Sequence, residues 1–174
     1  MFNNILVATD GSSHANKAID LAGDLAAKYN ANLTILTVLE GGPLTEEGKR
    51  LAREKGINLQ PDINMAPLTP ISPEGGPILH DAKETLETAH IEAELAEAII
   101  EDARERATTA GAGKVKVLSQ TGNAAAAILG AADSQGVDLI VIGSRGMGAL
   151  KGLLVGSVSQ KVSHLANCTC ITVK

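Results

Sequence analysis

The sequence predicts an α/β protein: a doubly wound, five-stranded parallel sheet with helices on both faces, in one domain spanning residues 1–174. Three observations lead there. Short runs of aliphatic and β-branched residues alternate with longer stretches whose apolar residues recur every three or four positions. Gly, Asn and Asp stand at the changes from one pattern to the other. The chain is 44% apolar yet holds a single Phe and a single Tyr, so its core is built from Ala, Val, Ile and Leu, which suits helices packed closely on a sheet.

Asn4 to Thr9 reads as a first strand, ended by Asp10-Gly11-Ser12-Ser13, a turn that supplies helix N-cap candidates. Ala15, Ala18, Ile19, Ala22, Leu25, Ala26 and Tyr29 then form one apolar helical stripe, with Lys17, Asp20, Asp24 and Lys28 on the outer face. Asn30 and Asn32 turn the chain into a second buried strand, Leu33 to Leu39. From Glu40 to about His80 the pattern fails among glycines and prolines, which predicts an insertion that is either a lid or disordered. Within it Thr45 to Lys55 can form a brief helix capped by Thr45 and stopped by Gly56. Its Lys49, Arg50, Arg53 and Lys55 either reach a ligand or, the favoured reading, form a solvated charged face.

Asp81 to about Ala107 is the longest periodic segment, and Leu86, Ala89, Ala93, Ala96, Ile99, Ile100, Ala103 and Ala107 are its expected inward side. Glycines at 111–113 end it. Lys114 to Ser119 alternates as a strand, Gly122-Asn123 opens an alanine-rich helix running to about Gln135, and Gly136 precedes the apolar strand 137–142. Ser157 to Ala166 supplies a last helix and Thr169 to Val173 a fifth strand. Strict alternation of this kind implies right-handed crossovers and a parallel sheet. Ligands of such sheets bind beyond the carboxyl ends of the strands, where strand order reverses. That rule puts Asp10, Val38 and the loop after Ile142 on one rim.

A formal net charge of -5 gives no electrostatic footprint for nucleic acid or an anionic membrane. No run approaches the roughly 20 apolar residues that cross a bilayer, and Met1 to Asp10 looks like a strand instead of a cleavable leader, so a cytoplasmic protein is expected. Cys168 and Cys170, spaced i and i+2 in a strand, share a face without normal disulfide geometry and read as reduced core thiols.

The strongest functional signal is Gly143-Ser144-Arg145-Gly146, nine residues, then Gly156-Ser157-Val158-Ser159. Glycines let backbone amides approach an anion, and a hydroxyl-rich helix start attracts one, so both ends of this loop can hold phosphate. Arg145 or Lys151 either adds a charge-assisted contact or points into solvent. No GKS or GKT follows, which sets aside a P-loop, and the glycines come too late for a dinucleotide fingerprint.

This pattern resembles the universal stress protein family, whose ATP-binding members carry G-x2-G-x9-G-[S/T], met here by Gly143, Gly146, Gly156 and Ser157. The resemblance extends to Ile5-Leu6-Val7-Ala8-Thr9-Asp10-Gly11-Ser12 and Cys170-Ile171-Thr172-Val173, with Glu40 to His80 least like the common part. It implies an adenine nucleotide alpha hydrolase-like fold and a site made of Ala8, Thr9, Asp10, Val38, Ile142, Gly143, Arg145, Gly146, Gly156, Ser157, Val158 and Ser159. In that reading Asp10 meets the ribose or an Mg²⁺ carried by the phosphates, while the Val38 backbone reads adenine and Ile142 and Gly143 flank base and ribose. Gly146, Gly156 and the helix start hold the phosphates. From the residues alone, Asp10 can equally be a turn or capping carboxylate. Ala8, Thr37 and Gly122-Asn123 depart from residues frequent in the family. The family also implies ATP, with AMP or ADP as alternatives, a homodimer joined through the last strand, and a regulatory protein partner of unknown identity.

Catalysis needs a group to orient water and cations on the leaving phosphate, and no convincing set is evident. His14, His80, His90 and His164 lack metal-ligand spacing. The leading expectation is therefore an ATP-binding stress-response regulator without efficient catalysis of its own. A slow ATPase and a dimeric interaction module that binds no nucleotide are the alternatives.

Overall fold

The computed structural model describes residues 1–59, 78–148 and 155–174. Strands β1 (Asn4–Ala8), β2 (Asn32–Leu39), β3 (Val115–Thr121), β4 (Leu139–Gly143) and β5 (Thr169–Val173) form one parallel sheet in the order β3-β2-β1-β4-β5. Helices α1 (Ser13–Tyr29), α2 (Glu46–Glu54), α3 (Ile78–Thr109), α4 (Ala124–Ser134) and α5 (Ser157–Leu165) connect them. Ile5 stands beside Leu33 on one side and Leu139 on the other, so β1 is the central strand.

Alternation along the strands divides the core in two. Ile5, Val7, Leu33, Ile35, Leu139 and Val141 face α1 and α3 through Ala18, Ile19, Ala22, Ala26, Ala103 and Ala107. Leu6, Ala8, Leu36, Ile140 and Ile142 face α4 and α5 through Ala125, Ile128, Ala131, Ala132 and Val162. The many alanines let the helices sit close to the sheet, as expected of an aromatic-poor core. Cys168 and Cys170 are free thiols packed against the second layer. Burial, with the neighbouring Cys170, pushes the Cys168 thiol above its usual range and keeps it protonated.

Local signals account for most boundaries. Ser12 caps α1 by accepting from the Ala15 amide at 3.3 Å, and Asn30 ends it in the left-handed region at φ 51°. Leu25 and Tyr29, expected inward, are partly buried against the first layer. The brief helix expected inside the insertion is α2, with Thr45 as its cap and Gly56 beyond it at φ 77°. Lys49 pairs with Glu46, Arg50 with Glu54 and Lys55 with Asp102, which makes the basic residues a charged outer face. The rest of the expected insertion, residues 60–77, lies outside the described residues.

One expectation fails along α3. Leu86 is 70% exposed and Ala89 and Ala93 are exposed as well, whereas Leu95, Ala96, Ile99, Ala103 and Ala107 are buried. At 32 residues the helix is about 48 Å long, far longer than any strand beneath it, so only its later turns can cover the sheet. Leu95 and Ile99 instead begin a small third cluster with Ala52 of α2, joined by Leu44, Leu51, Ile57 and Leu59.

Candidate functional site

Strand order reverses between β1 and β4, because β2 leaves the central strand on one side and β4 pairs on the other. The crevice outside their carboxyl ends has a volume of about 630 Å³, within the range of small-molecule sites. Every helix that follows a strand here begins on this rim. A smaller hollow of about 320 Å³ lies at the opposite rim, beside Lys114, Lys116, Asn32 and Gln135. It adjoins the end of α4, where a helix dipole repels anions.

All twelve site residues expected from the sequence line the larger crevice. Ala8, Thr9 and Asp10 come from the end of β1, and Val38 from the end of β2. Ile142, Gly143, Arg145 and Gly146 leave β4, and Gly156 to Ser159 open α5. Lys151 lies outside the described residues.

The helix starts differ in one respect. Ser12, Thr45 and Asn123 each accept a hydrogen bond from an amide of the helix they cap, at 3.3, 3.0 and 3.1 Å. Gly156, the N-cap of α5, has no side chain to do so. The first intrahelical bond of α5 runs from Gln160 N to Gly156 O at 3.0 Å. The amides of Ser157, Val158 and Ser159 consequently have no acceptor among the described residues. This helix start lies inside the crevice and carries the partial positive charge of its dipole.

Two features of the loop depart from the expected phosphate cradle. A Cβ at position 143 would lie 2.8 Å from the backbone of His14 and Ala15, so that glycine lets β4 pack on the first turn of α1. Ser159 is not a second free hydroxyl. Its Oγ is buried and donates toward Ser144 O and Gly156 O at 2.9 and 3.0 Å; with the Gly156 amide, which donates to Ser144 O at 2.7 Å, it ties the start of α5 to the exit of β4 without using the amides of residues 157–159. Ser157 is exposed and retains the uncommitted hydroxyl.

Asp10 binds backbone at both oxygens: Oδ1 accepts from Ser12 N at 3.0 Å and Oδ2 from Met147 N at 2.8 Å. Arg145 donates to His14 Nε2 at 3.3 Å, which requires the ring proton on Nδ1, and its own Nε is buried without a partner. No group of three His, Cys, Asp or Glu side chains able to hold a metal occurs among the described residues. Each Asp10 oxygen receives one amide and keeps a further acceptor site, so Asp10 can meet an Mg²⁺ carried by phosphates, although one carboxylate supplies too few oxygens to hold the ion by itself.

Sequence reading missed the wall formed by the chain after β2. Glu40, Gly41, Gly42 and Leu44 line the crevice together with Glu92 of α3 and Ala124 and Ile128 of α4. Glu40 Oε1 accepts from Ala124 N at 3.3 Å, and Glu92 Oε1 from Gly41 N at 3.1 Å. The available signal was position: Glu40 follows β2 onto the same rim that Asp10 reaches after β1.

Comparison with known proteins agrees with this architecture. The model of the universal stress protein family matches residues 1–56 and 59–174. Universal stress protein YxiE of Bacillus subtilis (strain 168) is 35% identical, with 100% of each chain covered. Among solved structures, universal stress protein UspA from Lactobacillus plantarum superposes with a TM-score of 0.70 at 24% identity, covering 99% of this chain and 98% of that one. A universal stress protein in complex with cAMP gives 0.61 at 24% identity, over 99% and 96%. With its central β1, its reversal at β4 and nearly its whole length matched, the chain belongs to the universal stress protein family.

Proposed function

We propose that the crevice binds an adenine nucleotide, ATP foremost and AMP or ADP in the same place, and that the protein acts as a nucleotide-dependent stress-response regulator without efficient catalysis of its own. One observation carries the reading: of the four capped or cappable helix starts described, only that of α5 is left open, and it opens into the crevice of about 630 Å³ at the switch point. Three amides and a helix dipole match the oxygens of one phosphate group. The opposite wall, with Val38, Leu36, Ile128 and Ile142, offers the apolar surface a purine needs. A protein of this fold has been crystallised with cAMP, which is consistent with that assignment. Any Mg²⁺ arrives on the phosphates, with Asp10 as its contact on the protein, since no cluster of three ligating side chains occurs among the described residues. β5 is an edge strand, and we assign to it the pairing of two copies into a homodimer.

Equilibrium dialysis of ATP and AMP against purified protein tests the assignment, with Gly156→Asp as the control. Gly156 has φ −79° and ψ 159°, an ordinary N-cap conformation, and an added Cβ meets nothing closer than 3.4 Å. Asp at this position folds, caps α5 and fills the anion site with its own carboxylate. Saturable binding by the parent that is lost in Gly156→Asp is the expected result. Absence of saturable binding up to about 1 mM in the parent would remove the proposal.

A further inference from the structure

Asp10 is bound to the glycine loop more closely than a ligand-contacting carboxylate requires. Its Oδ2 accepts from Met147 N at 2.8 Å, and the neighbouring Ser12 Oγ donates to Arg145 O at 3.3 Å, so the first turn after β1 grips the loop twice. The glycine between those two loop residues fits the same grip. A Cβ at position 146 would collide with Asp10 Oδ2, and the Asp10 carboxyl carbon is the other atom it would approach, at 3.4 Å. The backbone at 146 is not in the left-handed region, so its conformation does not call for glycine.

We propose that Asp10 is a positioning residue of the anion site: its carboxylate latches the Met147 amide, sets the shape of the 144–148 turn, and is the reason position 146 is glycine. This rests on the nucleotide reading for its consequence, since the latched turn lines the crevice beside the open start of α5. A carboxylate accepting from an amide forms a charge-assisted bond, stronger than a neutral one, and is suited to holding a turn in place before a ligand arrives. Contact of Asp10 with a ribose would give no reason for Gly146 to depend on it. The latch does.

Four forms of the protein separate these cases: the parent, Asp10→Ala, Gly146→Ala and the double variant, with Asp10→Asn as the conservative replacement. In nucleotide-free protein, amide exchange at Met147 should accelerate about tenfold or more in Asp10→Ala, less in Asp10→Asn, and not at all at the core amides of β1 and β4. Gly146→Ala should lower the thermal midpoint by about 3 °C in the parent and by much less in the Asp10→Ala background. AMP affinity should follow the same pattern, falling about tenfold on Gly146→Ala in the parent and within about twofold once Asp10 is gone. Unchanged Met147 exchange in Asp10→Ala, or an equal cost of Gly146→Ala in both backgrounds, overturns the latch. Exchange and thermal coupling are read without nucleotide, so a protein that binds none still decides this question, while the dialysis decides the other.

Discussion

Helices α4 and α5 begin on the same rim and flank the same crevice, yet their first turns are finished in opposite ways. At α4, Asn123 Oδ1 takes the Ala126 amide and Glu40 Oε1 the Ala124 amide, so side chains of the protein close the helix start. At α5, a glycine occupies the cap, and the Ser159 hydroxyl is turned inward onto Ser144 O. A capping Ser, Asn or Asp is worth only about a few tenths of a kcal/mol more than Gly at the same place, so leaving α5 with a glycine cap is a small stability cost. In the proposed reading, the anion site at α5 needs no added group: a cap present elsewhere on the rim is withheld.

Exchanging the two finishes is the most direct challenge to that contrast. Gly156→Asp closes α5 and should reduce nucleotide affinity by about 100-fold or more while raising stability by a few tenths of a kcal/mol; titration calorimetry and thermal denaturation read the two effects, and their opposite signs are the point. Next in size, Asn123→Ala opens α4 and should cost about 1 kcal/mol of stability with affinity held within about twofold. If affinity fell with it, α4 would share the ligand. Ser157→Ala removes the uncommitted hydroxyl at the open start and should weaken binding by about fivefold, leaving the unfolding midpoint unchanged. Smallest is Glu40→Gln, which takes a negative charge off the crevice wall. Affinity for an anionic nucleotide should rise about twofold at low ionic strength and return to the parent value in high salt.

Legibility differed between the strands and the helix surfaces. β5 was expected over Thr169 to Val173 and lies there, and β1 ends one residue before its expected limit, because apolar runs cut by Asp-Gly or Asn-Cys leave little room for another register. α1 was equally plain, since its stripe and both caps are local. The inward face of α3 was misread in its first half, where Leu86, Ala89 and Ala93 keep the helical period but have no sheet below them. Periodicity reports which residues share a face, and the length of the neighbouring strands decides whether that face is covered.

The site divides along the same line. Spacing brought Gly143, Gly146, Gly156 and Ser157 together as a loop, and topology brought Asp10 and Val38 to its rim, all without coordinates. The separate reasons for those glycines were not readable. Gly143 yields to the backbone of α1, Gly146 to a carboxylate more than 130 residues earlier in the chain, and Gly156 to no described neighbour. The wall from Glu40 to Leu44 was hidden by its composition, which marks a loop but not the cavity it borders.

By itself the sequence determined the order of elements, the parallel sheet, the rim on which a ligand would sit and the residues offered to it, because hydrophobic period, capping chemistry and crossover handedness act over short stretches of chain. Only the tertiary structure decided which donors on that rim are free. A hydrogen bond is consumed by whichever acceptor lies within reach in space, and Asp10, Glu40 and Ser144 reach their partners across 137, 84 and 15 residues of sequence.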